Sequence, residues 1–499
     1  MKLLGDLLES VVPSLGSPAK DVPIRGLAVD SRAVKPGDLF VAIRGIHQDG
    51  HDHAASVLRA GAAAILAERP LAVPVPVVLV GSTAASLSGI AARFFDHPSR
   101  FMDVVGVTGT NGKTTLTYLL ENVWRLERIS GGVMGTIDYR WANRVEKAPN
   151  TTPHALDVQR LLAAMREDGV KRVAMEVSSH ALALGRVDDV HFSVGLFTNL
   201  TQDHLDFHKT MEEYFSAKAL LFERLEKSAR LVRRAILNRD DPWAPRFLEK
   251  IKTPLWTYGL DGDADFRAER LVLSADGCRF HAVTPLGNRD VSLTLVGRHN
   301  VYNALGAMAA AMALGTSLED AVSGVEGLAG VPGRLERVTE HPAGCTEPSS
   351  FPFRVFVDYA HTDDALRNVL ETVRPLTQGR VLVLFGCGGD RDKTKRPRMG
   401  EMAARLADHV IVTSDNPRSE DPAVIVQEVV AGVRRVPSRS FDVIVDRKEA
   451  IARSIEMAKE GDVLLLAGKG HETYQILKDH TVDFDEREIV RHFLRCRER

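Results

Sequence analysis

The 499-residue sequence predicts an α/β protein of three domains: a small α/β unit, a central parallel sheet, and a C-terminal Rossmann-like doubly wound sheet. Three observations carry that expectation. The chain is too long for one core, so two to four domains are expected. Short apolar runs alternate with helical stretches along most of its length, the pattern of βαβ units. One such run, Val104-Val105-Gly106-Val107, enters a glycine-rich turn, Thr108-Gly109-Thr110-Asn111-Gly112. Lys113-Thr114-Thr115 then opens a stretch of helix formers from Leu116 to Trp124.

Composition narrows the class. Hydrophobic residues at 44% and charged residues at 26% describe an ordinary globular protein. A formal net charge of −2 gives no positive field, so neither nucleic acid nor an anionic membrane is expected as a partner. Cys278, Cys345, Cys387 and Cys496 lack metal-ligand spacing and read as the thiols of a reducing compartment. Met1 to Leu15 is interrupted by Asp6, Glu9 and Pro13, and no later stretch is long enough to span a bilayer. A cytoplasmic monomer without membrane insertion is expected.

Residues 1–98 form the first expected domain. It holds the stretches Gly26 to Arg32 and Gly37 to Ile43, then a glycine turn and a helix-like Ala54 to Ala62, with Ala63 to Ala67 and Val77 to Val80 as strands, the pattern of a small α/β unit. Asp30-Ser31-Arg32 and Ile46-His47-Gln48-Asp49-Gly50 are polar turns at strand ends, which suit small ligands but occur as plain loops too. His51 and His53 read as solvated. Asp96-His97-Pro98-Ser99 reads as a linker.

Residues 99–334 form the second, a P-loop ATPase-like parallel sheet. Strand, glycine loop, Gly-Lys-Thr and helix cradle phosphates: backbone N–H groups approach the oxygens and the helix N-terminus adds partial positive charge. Lys113 would reach the β- and γ-phosphates, and the Thr114 hydroxyl would hold Mg²⁺. The strict motif wants glycine where Val107 stands. Lys171 to Glu176 reads as a strand ending in an acid, placed to hold the metal. Ser193 to Phe197 is a strand leading to Gln202-Asp203-His204-Leu205-Asp206-Phe207-His208. Tyr214 to Leu221 is helical with one lysine, Lys218, whose default is to snorkel to solvent. Ala235 to Leu237 is another strand, and Ala264 to Val296 alternates as β structure. Asn300 and Asn303 precede an alanine-rich helix, Ala304 to Leu314, and could cap it or read an adenine edge.

Residues 335–499 form the third domain. Strands are expected at Arg354 to Val357, Val381 to Phe385, His409 to Thr413, Val443 to Val445 and Val463 to Ala467. Ligands of a doubly wound sheet belong at the strands' carboxyl ends. Those ends carry Asp358-Tyr359-Ala360-His361, Gly386 to Asp392, Asp415-Asn416-Pro417-Arg418 and Gly468-Lys469-Gly470-His471-Glu472.

Together these motifs resemble the Mur ligase family. The resemblance rests on Thr108 to Thr115, Asn150-Thr151-Thr152-Pro153, Glu176-Val177-Ser178-Ser179-His180, Thr198 to Asp206, and Gly333-Arg334 ahead of Asp358. The family's loop does not require glycine at Val107. Leu184, where some members carry a polar residue, and an enlarged loop from Glu340 to Pro352 depart from its pattern. The resemblance implies an ATP-dependent amide-bond ligase of peptidoglycan precursor synthesis. It implies a UDP-N-acetylmuramoyl-dipeptide and meso-diaminopimelate as substrates and an acyl-phosphate intermediate.

Residue roles follow from the resemblance. Catalysis would fall to Lys113, Glu176, His204 and Lys218. ATP would lie on Gly109, Thr110, Asn111, Gly112, Lys113, Thr114 and Thr115, with Asn300, Arg334 and Asp358. Metal ligands would be Thr114, Glu176, His204 and Lys218, the last as a CO₂-derived carbamate. The uridine end would lie on Val29, Ser31, Ile46, His47 and Gln48, and the dipeptide on Asn150, Thr151, Thr152, Ser178 and Arg186. Diaminopimelate would meet Arg391, Asp415, Asn416, Pro417, Arg418, Gly468 and Glu472. Closure of three domains is expected to assemble the site and exclude water from the acyl phosphate.

Overall fold

The computed structural model describes residues 1–9, 11–12, 16–45, 48–341 and 351–497. The chain divides into two compact units. The first holds residues 1–267, 283–287 and 302–325; the second holds 268–282, 288–301 and 326–499.

The first unit contains two large sheets and a short antiparallel pair, Lys2–Leu3 with Pro23–Ile24. The N-terminal large sheet is parallel throughout, in the order Gly26–Ala28, Asp38–Val41, Ala64–Ala67, Val77–Leu79. Its middle strands are buried along their whole length, with apolar clusters on both faces. The second large sheet has eleven strands, of which the first eight are Arg144–Lys147, Asp138–Trp141, Gly131–Met134, Arg172–Glu176, Asp103–Thr108, Val194–Phe197, Arg234–Asn238 and Leu255–Gly259. Among these eight the first two pairings are antiparallel and the other five parallel. Burial on both faces explains why Val104 to Val107, within strand Asp103–Thr108, reads as an unbroken apolar run.

Val107 sits mid-sheet, opposite Glu176 on one side and Leu196 on the other, and is fully buried. A β-branched residue packs well there, so the missing motif glycine leaves no defect.

The second unit has a six-stranded sheet in the order Glu336–Val338, Arg354–Asp358, Val463–Ala467, Val381–Phe385, His409–Val412, Ser440–Val443. Only the first pairing is antiparallel. The central strands are apolar on both faces and divide two cores. The strand expected at Val443 to Val445 lies earlier, at Ser440–Val443. It is a half-exposed edge strand with polar residues in it, so the apolar run that follows misleads.

Two further expectations change. His51 is buried rather than solvated: Nδ1 lies 2.5 Å from Asp49 Oδ1, and Nε2 accepts from the Glu68 amide at 2.8 Å. The alanine-rich helix spans Arg298–Ala313, so Asn300 and Asn303 lie within it. Among the described residues, no helix is long and apolar enough to cross a membrane.

Candidate functional site

In the first unit the glycine loop is tied down by the neighbouring strand end. The Thr110 amide donates to Asn199 O at 2.8 Å, and the Asn111 amide to Asn199 Oδ1 at 2.9 Å. Thr198 Oγ1 donates to Asn111 O at 2.6 Å. Gly109 has φ 148°, and a Cβ there would stand 1.8 Å from Thr198 Oγ1. Gly112, with φ 88°, would put a Cβ 2.5 Å from Asn303 Oδ1. Both positions therefore exclude side chains, leaving bare backbone amides ahead of helix Lys113–Leu126. Thr114 and Thr115 are buried in its first turn.

Two amines converge on one carbonyl. Lys113 Nζ donates to Gly109 O at 2.9 Å and to Thr110 O at 2.8 Å. Lys218 Nζ donates to the same Gly109 O at 2.8 Å. Lys218 comes from helix Met211–Glu226, capped by Thr210, whose Oγ1 accepts from the Glu213 amide. At 1% exposure it does not snorkel. Burial first, then the Lys113 charge, holds the Lys218 amine well below the ordinary lysine range. Its Nζ also lies 4.4 Å from the centre of the Tyr214 ring.

A histidine group adjoins that helix. The His180 ring centre lies 4.9 Å from that of His204 and 5.4 Å from that of His208. His208 Nε2 lies 2.8 Å from Ser179 Oγ, and its ring stacks on Tyr214. His204, at φ 54°, lies 3.5 Å from Asp203 Oδ2. Burial lowers the pKa of all three and takes His208 to about 4. Each imidazole is therefore held toward its neutral, lone-pair-bearing form.

On the other side of the loop strand, Glu176 is 1% exposed. Its Oε1 accepts from the Thr136 amide at 2.8 Å, and Oε2 from Thr136 Oγ1 at 3.0 Å. Thr152 Oγ1 donates to Glu176 O at 2.8 Å and accepts from the Ser178 amide at 3.0 Å. Thr151 Oγ1 lies 3.1 Å from Thr136 Oγ1, and Tyr139 OH donates to Asn150 O at 2.5 Å. Arg186 Nη1 donates to Thr152 O at 3.1 Å. Thus Asn150, Thr151, Thr152, Glu176, Ser178 and Arg186, distant in sequence, form one cluster.

In the N-terminal sheet, Val29 and Ser31 are half-buried just beyond strand Gly26–Ala28. Asp30 grips Arg32, with Nη2 at 2.6 Å, and those hydrogen bonds pull its carboxyl down to about 2. Gln48 is exposed; Ile46 and His47 lie outside the described residues.

The second unit carries Asn300, Arg334, Asp358 and the four strand-end turns. Asn300 Nδ2 turns back to Val296 O at 2.8 Å. Asp358 receives the Leu335 amide on Oδ2 at 2.7 Å and the Ala360 amide on Oδ1 at 2.8 Å; burial raises its pKa. The Arg334 guanidinium lies 5.1 Å from the Tyr359 ring centre.

Asp415 and Asn416 are buried at the end of strand His409–Val412, close to the turn after Val463–Ala467. Asn416 Nδ2 donates to Glu472 Oε2 at 2.9 Å. A Cβ on Gly468 would stand 3.1 Å from Asp415 Oδ2. Arg418, at φ 52° after Pro417, donates from Nη1 to Gly389 O at 2.8 Å. Arg391 is exposed in the adjoining turn. Beneath them Arg447 is fully buried: Nη1 donates to Ser414 O at 3.1 Å, Nη2 to Ala467 O at 2.8 Å, and Nε to Glu486 Oε1 at 2.7 Å.

Sequence reasoning gave no role to Thr136, Asn199 or Arg447. The only signal was polarity at strand ends, since every partner of these residues is remote in the chain.

Family models match the chain in order: the Mur ligase family catalytic domain over residues 23–97, the Mur ligase middle domain over 107–311, and the Mur ligase glutamate ligase domain over 333–470. A Bacillus cereus protein named UDP-N-acetylmuramoyl-L-alanyl-D-glutamate–2,6-diaminopimelate ligase is 44% identical over 476 residues, 95% of this chain and 94% of that protein. One of the same name from Geobacillus kaustophilus is 46% identical, over 94% of each. A solved structure of a ligase of that name matches with TM-score 0.73 at 30% identity, covering all of both chains. Its three-domain α/β fold is the one expected from the sequence. Likeness of this depth, sustained along nearly the whole length and through every domain model, places the chain in the Mur ligase family.

Proposed function

We propose that the protein is an ATP-dependent ligase that adds meso-diaminopimelate to UDP-N-acetylmuramoyl-L-alanyl-D-glutamate, releasing ADP and phosphate, in the cytoplasmic stage of peptidoglycan precursor synthesis. The observation that carries this reading is the glycine loop, with two lysine amines on one carbonyl and a buried acid on the adjacent strand end. It belongs to a chain 44% identical to ligases so named.

Residues 1–98 bind the uridine end through Val29, Ser31 and the 46–48 turn, and 99–334 bind ATP. Residues 335–499 bind the amino acid, with Arg334 and Asp358 contributing to nucleotide binding. Asn150 to Thr152, Ser178 and Arg186 hold the dipeptide so that the D-glutamate side-chain carboxylate faces the γ-phosphate. A carboxylate oxygen attacks phosphorus, the bond to ADP breaks, and an acyl phosphate forms. An amine of diaminopimelate then attacks the acyl carbon, phosphate leaves, and the nitrogen gives up a proton. Lys113 neutralises the transferring phosphoryl group.

Mg²⁺ would supply charge neutralisation between anions that must approach one another. Thr114 and Glu176 offer the hard oxygen donors it prefers, and neutral His204 offers a lone pair for a second ion. Among the described residues, no group of three or more His, Cys, Asp or Glu could hold an ion alone.

The test is phosphate release from ATP with each substrate withheld in turn. Release requiring both the UDP-dipeptide and diaminopimelate is expected; release without them refutes the assignment.

Lys218 is proposed to become a carbamate. A neutral buried amine attacks CO₂, loses a proton and turns anionic, which removes the clash with Lys113. Lys218→Ala is expected to lose about 10²-fold or more in kcat, an effect typical of one electrostatic group. Partial recovery with a small carboxylic acid is expected. An active variant that no acid improves would leave Lys218 a packing residue.

A further inference from the structure

We propose that Lys469 is a positioning residue for the amino-acid substrate, acting through Asp415, Asn416 and Glu472 rather than by touching the substrate itself. The proposal rests on reading that cluster as the diaminopimelate site.

Lys469 follows Gly468 at the end of strand Val463–Ala467 and is 0% exposed. An ammonium stripped of water needs compensation from every direction it faces. Nζ donates to Tyr474 O at 2.7 Å and to Asn416 Oδ1 at 3.0 Å. It stands 3.4 Å from Asp415 Oδ1 and 3.6 Å from Glu472 Oε2.

The contact with Asn416 decides which way that amide points. Oδ1 receives two donors, Lys469 Nζ and the Ile476 amide at 3.0 Å. With the oxygen held on that side, Nδ2 must point the other way, and it meets Glu472 Oε2 at 2.9 Å. One buried cation therefore fixes an amide, and the amide fixes a carboxylate.

Charge count gives the functional consequence. Asp415 and Glu472 would repel each other if left alone. Sharing the Lys469 ammonium, they retain one net negative charge, the amount one substrate ammonium cancels. Asp415 Oδ1 is buried and makes no hydrogen bond within the protein. Such an acceptor suits an incoming N–H donor.

The experiment uses the full chain with Lys469→Met, which keeps the stem's volume and removes the charge. KM for diaminopimelate is expected to rise about tenfold or more, the worth of one charge-assisted hydrogen bond. KM for ATP and for the UDP-dipeptide should stay within about twofold. The Lys469→Met/Asn416→Ala double variant should lose no more than the worse single, because both act through one network. Unchanged KM for diaminopimelate, or equal loss in all three KM values, overturns the proposal. Lys469→Gln serves if the methionine variant does not fold, and failure of both to fold assigns Lys469 to stability alone and overturns it. Asn416→Ala and Glu472→Gln separate the two readings. If they too leave KM for diaminopimelate unchanged, the site assignment itself fails; if they raise it while Lys469→Met does not, only the role of Lys469 fails.

Discussion

Lys113→Ala is expected to abolish ligation while leaving the fold intact. The Lys113 ammonium donates to two carbonyls, Gly109 O and Thr110 O, of the loop whose glycines leave its amides bare. Removing one preorganised charge from a transferring group costs about 10²- to 10³-fold in kcat. A phosphoryl group between two anionic substrates puts this case at the upper end. The fold should survive, because Asn199 and Thr198 continue to hold the loop when the two lysine hydrogen bonds are lost. Turnover and thermal unfolding are measured together: near-normal turnover in a normally folded variant would remove Lys113 from the chemistry. One secondary effect is expected: Lys218 loses its nearest competing cation, so its amine should become more basic.

The second large effect concerns amino-acid choice. Meso-diaminopimelate and L-lysine differ by one terminal carboxylate. Arg418 occupies a left-handed backbone position after Pro417, and its Nη1 is anchored on Gly389 O, which sets the plane of its guanidinium. A planar fork so fixed matches a carboxylate with two hydrogen bonds. Lysine bound in its place would leave that guanidinium desolvated and without an anion. Sites built around a substrate polar group reject analogues lacking it by about 10⁴-fold or more. The expected ratio of kcat/KM for the two amino acids is therefore about 10⁴ in favour of diaminopimelate, and Arg418→Ala should lose most of the diaminopimelate activity. Similar kcat/KM for both amino acids in the unaltered protein would take specificity away from Arg418.

Local pattern made the phosphate loop legible. Strand, turn and helix there are contiguous, and Gly109 and Gly112 announce a backbone that must stay bare. Glu176 was legible too, as an acid ending an apolar strand. The strapping of the loop was not. Thr198 and Asn199 reach Asn111 from more than eighty residues away, and nothing in their own neighbourhood signals it. Lys218 misled in the opposite direction. One lysine among alanines and leucines reads as a side chain stretching to water, yet the helix turns it inward onto Gly109 O. Asn300 and Asn303 look equivalent in sequence, but the helix starts at Arg298. One turn apart, one folds back on Val296 O and the other meets Gly112. The edge strand Ser440–Val443 was placed late because half-exposed strands carry mixed residues.

Arg447 has a consequence for how the chain is made. Its guanidinium joins two strand ends by their carbonyls, but its charge is balanced by Glu486, in the last helix, Glu486–Arg497. A buried arginine deprived of its partner costs about 3–5 kcal/mol. While the ribosome is still short of residue 486, the Asp415 and Gly468 turns have the Lys469–Asn416–Glu472 contacts but lack the charge-balanced Arg447 clasp beneath them. The pocket proposed to take the amino acid is thus completed only when that last helix docks. A nascent or prematurely ended chain could build most of that sheet and still be unable to hold the substrate.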